Sequence, residues 1–122
     1  MTQWRWGLGV SMLGLVIGGA VQAASMDPLE VAPHLYSKKF ENEQIRVMEV
    51  AFKPGESIDM HSHPDHVAYL LAGGTLTLSY PDGTSKVLEG KAGDLFWTPA
   101  ESHAAVNTGT TDVRVLVFEL KP

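Results

Sequence analysis

Between Gln44 and Leu120 no run of strand-forming residues exceeds nine positions before a turn signal interrupts it. That spacing leaves no room for long helices and calls for short strands joined by tight connections. "QIRVMEVAF" (44–52) alternates, and its more apolar set, Arg46, Met48, Val50 and Phe52, is expected to face inward. Further strands are expected over 57–63, 66–72, 75–80, 85–89, 95–98, 102–107 and 113–120. "KPGE", "PD", "GG", "PDGT", "GKAGD", Pro99 and "TGTTD" punctuate them. Residues 25–38 carry two prolines and little periodicity, and read as an extended arm or edge strand rather than a helix. About eight short strands in roughly a hundred residues imply an all-β sandwich or barrel of two small sheets. Such a fold can enclose one small pocket.

The first part of the chain is of another kind. "MTQWRWG" is a short polar start with one charge, Arg5, and "LGVSMLGLVIGGAV" is an apolar run followed by small residues in "VQA". This is the three-part pattern of a secretory signal, with cleavage expected after Ala23. The alternative, a retained membrane anchor, is disfavoured because the apolar run falls short of the roughly 20 residues that span a bilayer. The expected organisation is a signal peptide at 1–23, an N-terminal arm at 24–40 and a β-barrel at 41–122, in a periplasmic or secreted protein.

The charge balance excludes some partners. The 122 residues carry a net charge of −5, and loss of Arg5 with the signal makes the remainder more acidic. No basic run exists, which argues against nucleic acid and against anionic membranes after processing. The chain has no cysteine, so an exported form has neither disulfides nor thiolate metal ligands. Any metal must be held by nitrogen and oxygen.

Three of the five histidines fall within "MHSHPDH", at His61, His63 and His66. In a strand, residues two apart share a face, so His61 and His63 are expected to project together, with Met60 and Ser62 opposite. His66 follows the Pro64–Asp65 break, where a tight turn can bring it beside the pair. His103 begins another strand far along the chain, and His34, in the arm, reads as surface decoration. Spacing alone leaves the cluster open between a metal site and the end of an exposed hairpin. Converging neutral imidazoles suit a divalent transition metal: Fe, Mn, Zn, Ni or Cu.

"PGESIDMHSHPDHVAYLLAGGTLTL" resembles the first motif of the cupins, through Gly55, His61, His63 and Gly73. "GDLFWTPAESHAAVN" resembles the second, through Gly93, Asp94, Pro99, His103 and Asn107. The resemblance implies a double-stranded β-helix, the jelly-roll barrel of small single-domain bacterial cupins, with a metal held inside near one open end. Carried over position by position, His61, His63 and His103 match the ligands. His66 stands where the family places Glu, on a shortened turn, and is expected to be a fourth ligand. Glu101 stands where the second motif usually has Gly. It reads either as a solvent-facing turn residue or as a catalytic carboxylate at the pocket rim beside His103. The "PAESH" loop also looks like that of a subgroup of small cupins, some of them named for β-alanine degradation.

Met48, Val50 and Phe52 are expected in the core, and Tyr69 and Trp97 in the core or the pocket wall. Asn107 and Asp94 are expected to bond within turns. An all-imidazole site leaves the metal's charge uncompensated by its ligands, which favours binding an anionic substrate or stabilising an enolate-like intermediate. The reading is a metal-dependent enzyme of dioxygenase, isomerase or lyase type acting on a small polar or anionic molecule. The alternative is a non-catalytic module that binds a metal or small ligand. A homodimer is expected, with the arm at 25–38 able to add a strand to a partner.

Overall fold

The computed structural model describes residues 25–122. The expected signal peptide lies outside the described residues. Nine strands follow one short helix: α1 (Pro28–Val31), β1 (Tyr36–Glu41), β2 (Ile45–Phe52), β3 (Ser57–His63), β4 (His66–Ala72), β5 (Gly74–Ser79), β6 (Ser85–Gly90), β7 (Leu95–Thr98), β8 (Glu101–Asn107) and β9 (Val113–Leu120). They form a five-stranded sheet ordered β1-β2-β9-β4-β7 and a four-stranded sheet ordered β3-β8-β5-β6. All pairings are antiparallel. From β2 to β5 and again from β6 to β9 successive strands alternate between the sheets, and the two sheets enclose the interior as the expected double-stranded β-helix.

The helix corrects the reading of residues 25–38 as purely extended. Asp27 caps it, its side chain accepting from Leu29 N–H at 2.9 Å, and Pro28 occupies the first turn, where its missing N–H costs nothing. A single turn shows no helical period, so periodicity could not find it. The segment is built into its own barrel: Ser62 N–H donates to the Met26 carbonyl at 2.7 Å, and Arg46 pairs with Asp27 at 2.9 Å. Strand β1 begins at Tyr36, five residues before the expected start of the barrel, and pairs along β2.

The inward set of β2 is the expected one. Met48, Val50 and Phe52 are buried and pack with Ile58, Leu70, Leu78, Val113, Val115 and Val117. Trp97 departs from expectation: 58% exposed, it points away from the interior, because β7 sends Phe96 and Thr98 inward and Leu95 and Trp97 outward. Tyr69 shares that outer face, opposite Leu95. Asn107 ties the β8–β9 loop as expected. Its side-chain amide donates to Phe52 and Thr111 carbonyls at 3.0 and 2.8 Å and accepts from Gly109 N–H at 3.0 Å.

Candidate metal centre

One irregularity of β3 puts the histidines inside. Ile58 faces the interior opposite Ala105, and strict alternation from there would turn Met60 and Ser62 inward. The register with β8 instead shifts between Ile58 and His61, so that His61 lies opposite His103. This bulge resets the phase and directs His61 and His63 inward. It also frees the Asp59 carbonyl to accept from His61 Nδ1 at 2.8 Å.

His61, His63 and His103 bring ligand atoms within 4.8 Å of one another, and all three are buried. His66 opens β4 on the inner side of the opposing sheet, with its ring centroid 4.6 Å from that of His63. All four imidazoles therefore meet at one end of the barrel, while His34 lies apart. The Pro64–Asp65 turn that carries His66 is pinned twice: Asp65 Oδ1 accepts from Ala100 N–H at 2.8 Å, and its carbonyl accepts from Leu120 N–H at 2.9 Å.

Every imidazole of the cluster has its Nδ1 engaged. His61 donates to the Asp59 carbonyl and His66 to the Pro64 carbonyl at 2.8 Å. His63 donates to Glu119 Oε2 at 2.7 Å and His103 to Glu101 Oε2 at 2.6 Å. A carbonyl can only accept, so the proton of His61 and of His66 sits on Nδ1 and the Nε2 lone pair is free. For His61 that Nε2 is buried without a partner among the described residues. Burial lowers the His61 pKa to about 4 against the opposing pull of the Asp59 carbonyl, and also lowers His66 and His103. Neutral imidazoles with fixed tautomers and inward lone pairs are what a divalent transition metal requires. These residues fit such a metal.

Two carboxylates stand directly behind the ligand set, and one of them was not foreseen. Glu119, buried at the end of β9, bonds His63 on one side and Arg46 on the other, at 2.8 Å from the guanidinium. Burial alone would raise its pKa, but the His63 hydrogen bond and the Arg46 charge hold it below the ordinary glutamate value. Arg46 continues to Asp27, so an unbroken polar chain runs from the cap of α1 to the imidazole of His63. The ligand set itself carries no carboxylate, but Glu119 and Glu101 each sit one imidazole away from the centre. Glu101 lies against His103 and reaches the cavity, so it is not a purely solvent-facing turn residue.

Beside the histidines lies a cavity of about 110 Å³, walled mostly by aliphatic side chains of both sheets. Tyr36 flanks it, its ring 5.9 Å from His61 and 6.4 Å from His63.

The cupin domain family matches residues 48–119, which include every histidine of the cluster, Glu101 and Glu119. The chain is a cupin. Among curated proteins none matches its sequence significantly. Solved structures do. A cupin domain from Bordetella pertussis Tohama I is 27% identical, with a TM-score of 0.67, over 72% of this chain and 93% of that one. A conserved double-stranded β-helix protein from Klebsiella pneumoniae is 22% identical, with a TM-score of 0.58, over 82% of each chain. The polyketide cyclase RemF from Streptomyces resistomycificus is 24% identical, with a TM-score of 0.54, over 70% of this chain and 63% of its own. The latter two likenesses are of fold.

Proposed function

We propose that this cupin is a metal-dependent enzyme. Its divalent transition metal is held by Nε2 of His61, His63 and His103, with His66 as a fourth imidazole, and its substrate is a small molecule in the adjoining cavity. The supporting observation is the four occupied Nδ1 atoms, which leave the opposite ring nitrogens free; the ligand atoms of His61, His63 and His103 converge, and the His66 ring lies beside that of His63. A bound divalent metal supplies Lewis-acid polarisation of a ligand oxygen. The protein's own contribution is orientation and proton control. Glu119 and the two carbonyls fix the ring planes, aliphatic walls exclude water, and Glu101 is assigned as the group that exchanges a proton with the ligand. Fe, Mn, Zn, Ni and Cu all suit a nitrogen donor set. Elemental analysis of protein purified without an affinity tag tests the reading. About one metal per chain is expected in the wild type and none in the His61→Ala/His63→Ala double variant, and equal metal in both overturns it.

We further propose that the protein is exported and works as a homodimer. Export rests on the three-part pattern of residues 1–23. Dimerisation is supported by the outer face of the five-stranded sheet. There an apolar row crosses every strand in register: Phe40 opposite Val47, Val47 opposite Phe118, Phe118 opposite Val67, and Val67 opposite Trp97. The outer face of the other sheet carries Thr75, Thr77, Ser79 and Ser102, as a water-facing sheet should.

A further inference from the structure

The polar side chains of the cavity gather at the histidine end, with Glu89 the exception. Val50, Ile58, Leu70, Leu76, Leu78 and Leu88 stand along its sides. Apart from Glu89 on edge strand β6, the polar side chains that reach it are Tyr36, Thr98, Glu101 and the four imidazoles. Thr98 pairs with His66 across β4 and β7, which places it with the others at the histidine end. An engineered apolar cavity of ~150 Å³ binds benzene. A volume of about 110 Å³ therefore suits an apolar body of about four to six non-hydrogen atoms.

Tyr36 carries the rest of the argument. It is 7% exposed and lines the cavity, and no group of the described residues bonds its hydroxyl. Tyrosines in such positions ordinarily find a partner for that O–H. A phenol is protonated at neutral pH and donates one hydrogen bond. At the histidine end a ligand thus meets a hydrogen-bond donor and a metal, and both call for an oxygen lone pair.

We infer that the cavity takes a small oxygen-headed compound, a carboxylate or enolisable carbonyl with a short apolar body, and that the Tyr36 hydroxyl donates to its head. This rests on the metal reading above and narrows it: only the head of the ligand is polar. Tyr36 acts as a binding residue for that head, and Leu88, opposite Leu76 and level with Asn107 at the end of β8 away from His103, sets the length of the body.

The test uses cobalt(II)-loaded protein, following the cobalt absorption as acetate, butanoate, hexanoate and decanoate are added. Affinity should rise about fourfold per methylene up to hexanoate and then cease to rise. Tyr36→Phe should bind hexanoate about tenfold more weakly at unchanged cobalt content, as expected for one lost hydrogen bond. Leu88→Ala should move the preferred acid to a longer chain. Acetate binding as tightly as hexanoate, or Tyr36→Phe matching the wild type, overturns the inference. Calorimetry of the same acids with metal-free protein reads the walls alone, and absence of any chain-length preference there also overturns it. Failure of the wild type to take up cobalt at all sinks the metal reading instead, so the two failures are distinguishable.

Discussion

Glu119 shows how a single residue governs the candidate centre. Its carboxylate accepts from His63 Nδ1 and is held in turn by Arg46. Outer carboxylates of this kind fix the ring orientation and raise the basicity of the imidazole. Glu119→Gln keeps an acceptor for His63 but removes the charge that Arg46 balances. The expected result is a ~10–100-fold loss of metal affinity, read by competition with a colorimetric chelator, and an unchanged affinity would remove Glu119 from the ligand support. A pH effect follows from the same residues. Burial holds His61 at about 4, and His66 and His103 also below their ordinary value, whereas the unfolded chain titrates them near 6.5. As pH falls from about 6.5 towards 4 the unfolded state binds more protons, so stability is lost in that window. Glu119, held below 4.5, loses its contribution lower still and in the same direction. Metal-free protein should therefore melt about 10 °C or more lower at pH 4.5 than at pH 7, and a flat thermal midpoint would contradict the buried neutral imidazoles. The histidines were legible in sequence because His-x-His declares its spacing. Glu119 and Arg46 were legible only in part. Both are charged residues at inward positions of apolar strands, Arg46 with Met48, Val50 and Phe52, and Glu119 with Val113, Val115 and Val117. That anomaly signals a buried pair, but no single strand can name its partner on another.

Elements were easier to read than their interior phase. The boundaries of β3, β4, β7 and β9 follow from the Pro, Gly and Asp residues that flank them, because turn residues break strands locally. The bulge between Ile58 and His61 was hidden, since it is a property of the pairing with β8 and not of β3 alone. Helix α1 was hidden for the opposite reason: its signal is one capping Asp and one Pro, too short for any period. The β8–β9 connection depends on a single side chain. Asn107 bridges β2 and its own loop through three hydrogen bonds and is buried. Asn107→Ala strands the Phe52 and Thr111 carbonyls and should cost about 2–4 kcal/mol, measured by urea unfolding. It touches no imidazole, so metal stoichiometry should be preserved, and loss of the metal with normal folding would show that this loop shapes the site.

At the scale of the whole molecule the two sheets differ in what they offer to solvent. The four-stranded sheet turns out hydroxyls with a lone exposed Val87, whereas the five-stranded sheet turns out Phe40, Val67, Tyr69, Leu95, Trp97 and Phe118. A second row parallel to the first, Glu49–Leu116–Tyr69–Leu95, adds apolar surface on the β4–β7 side and ends on β2 in Glu49, which pairs with Arg114. Five strands ~4.8 Å apart and about seven residues long give a footprint of roughly 500–600 Å². Side-chain relief brings its accessible area close to the ~800 Å² that each partner of a stable complex buries. Water would wet this face at high cost, and a second copy related by a two-fold axis offers the same flat apolar surface in return. The N-terminal segment is less suited to that task, because Asp27 and Met26 are already bonded to Arg46 and Ser62 of their own barrel. A charge at the β7 end of the row should therefore separate the copies while leaving the fold intact. Trp97 is 58% exposed and opposite Val67, outside the cavity, and Trp97→Glu places that charge. Sedimentation at about 50 μM should give a dimer for the wild type and a monomer for the variant, with metal content equal in the two. A monomeric wild type would show that the outer face is not an interface between copies, and a dimeric variant would move the contact elsewhere on the surface.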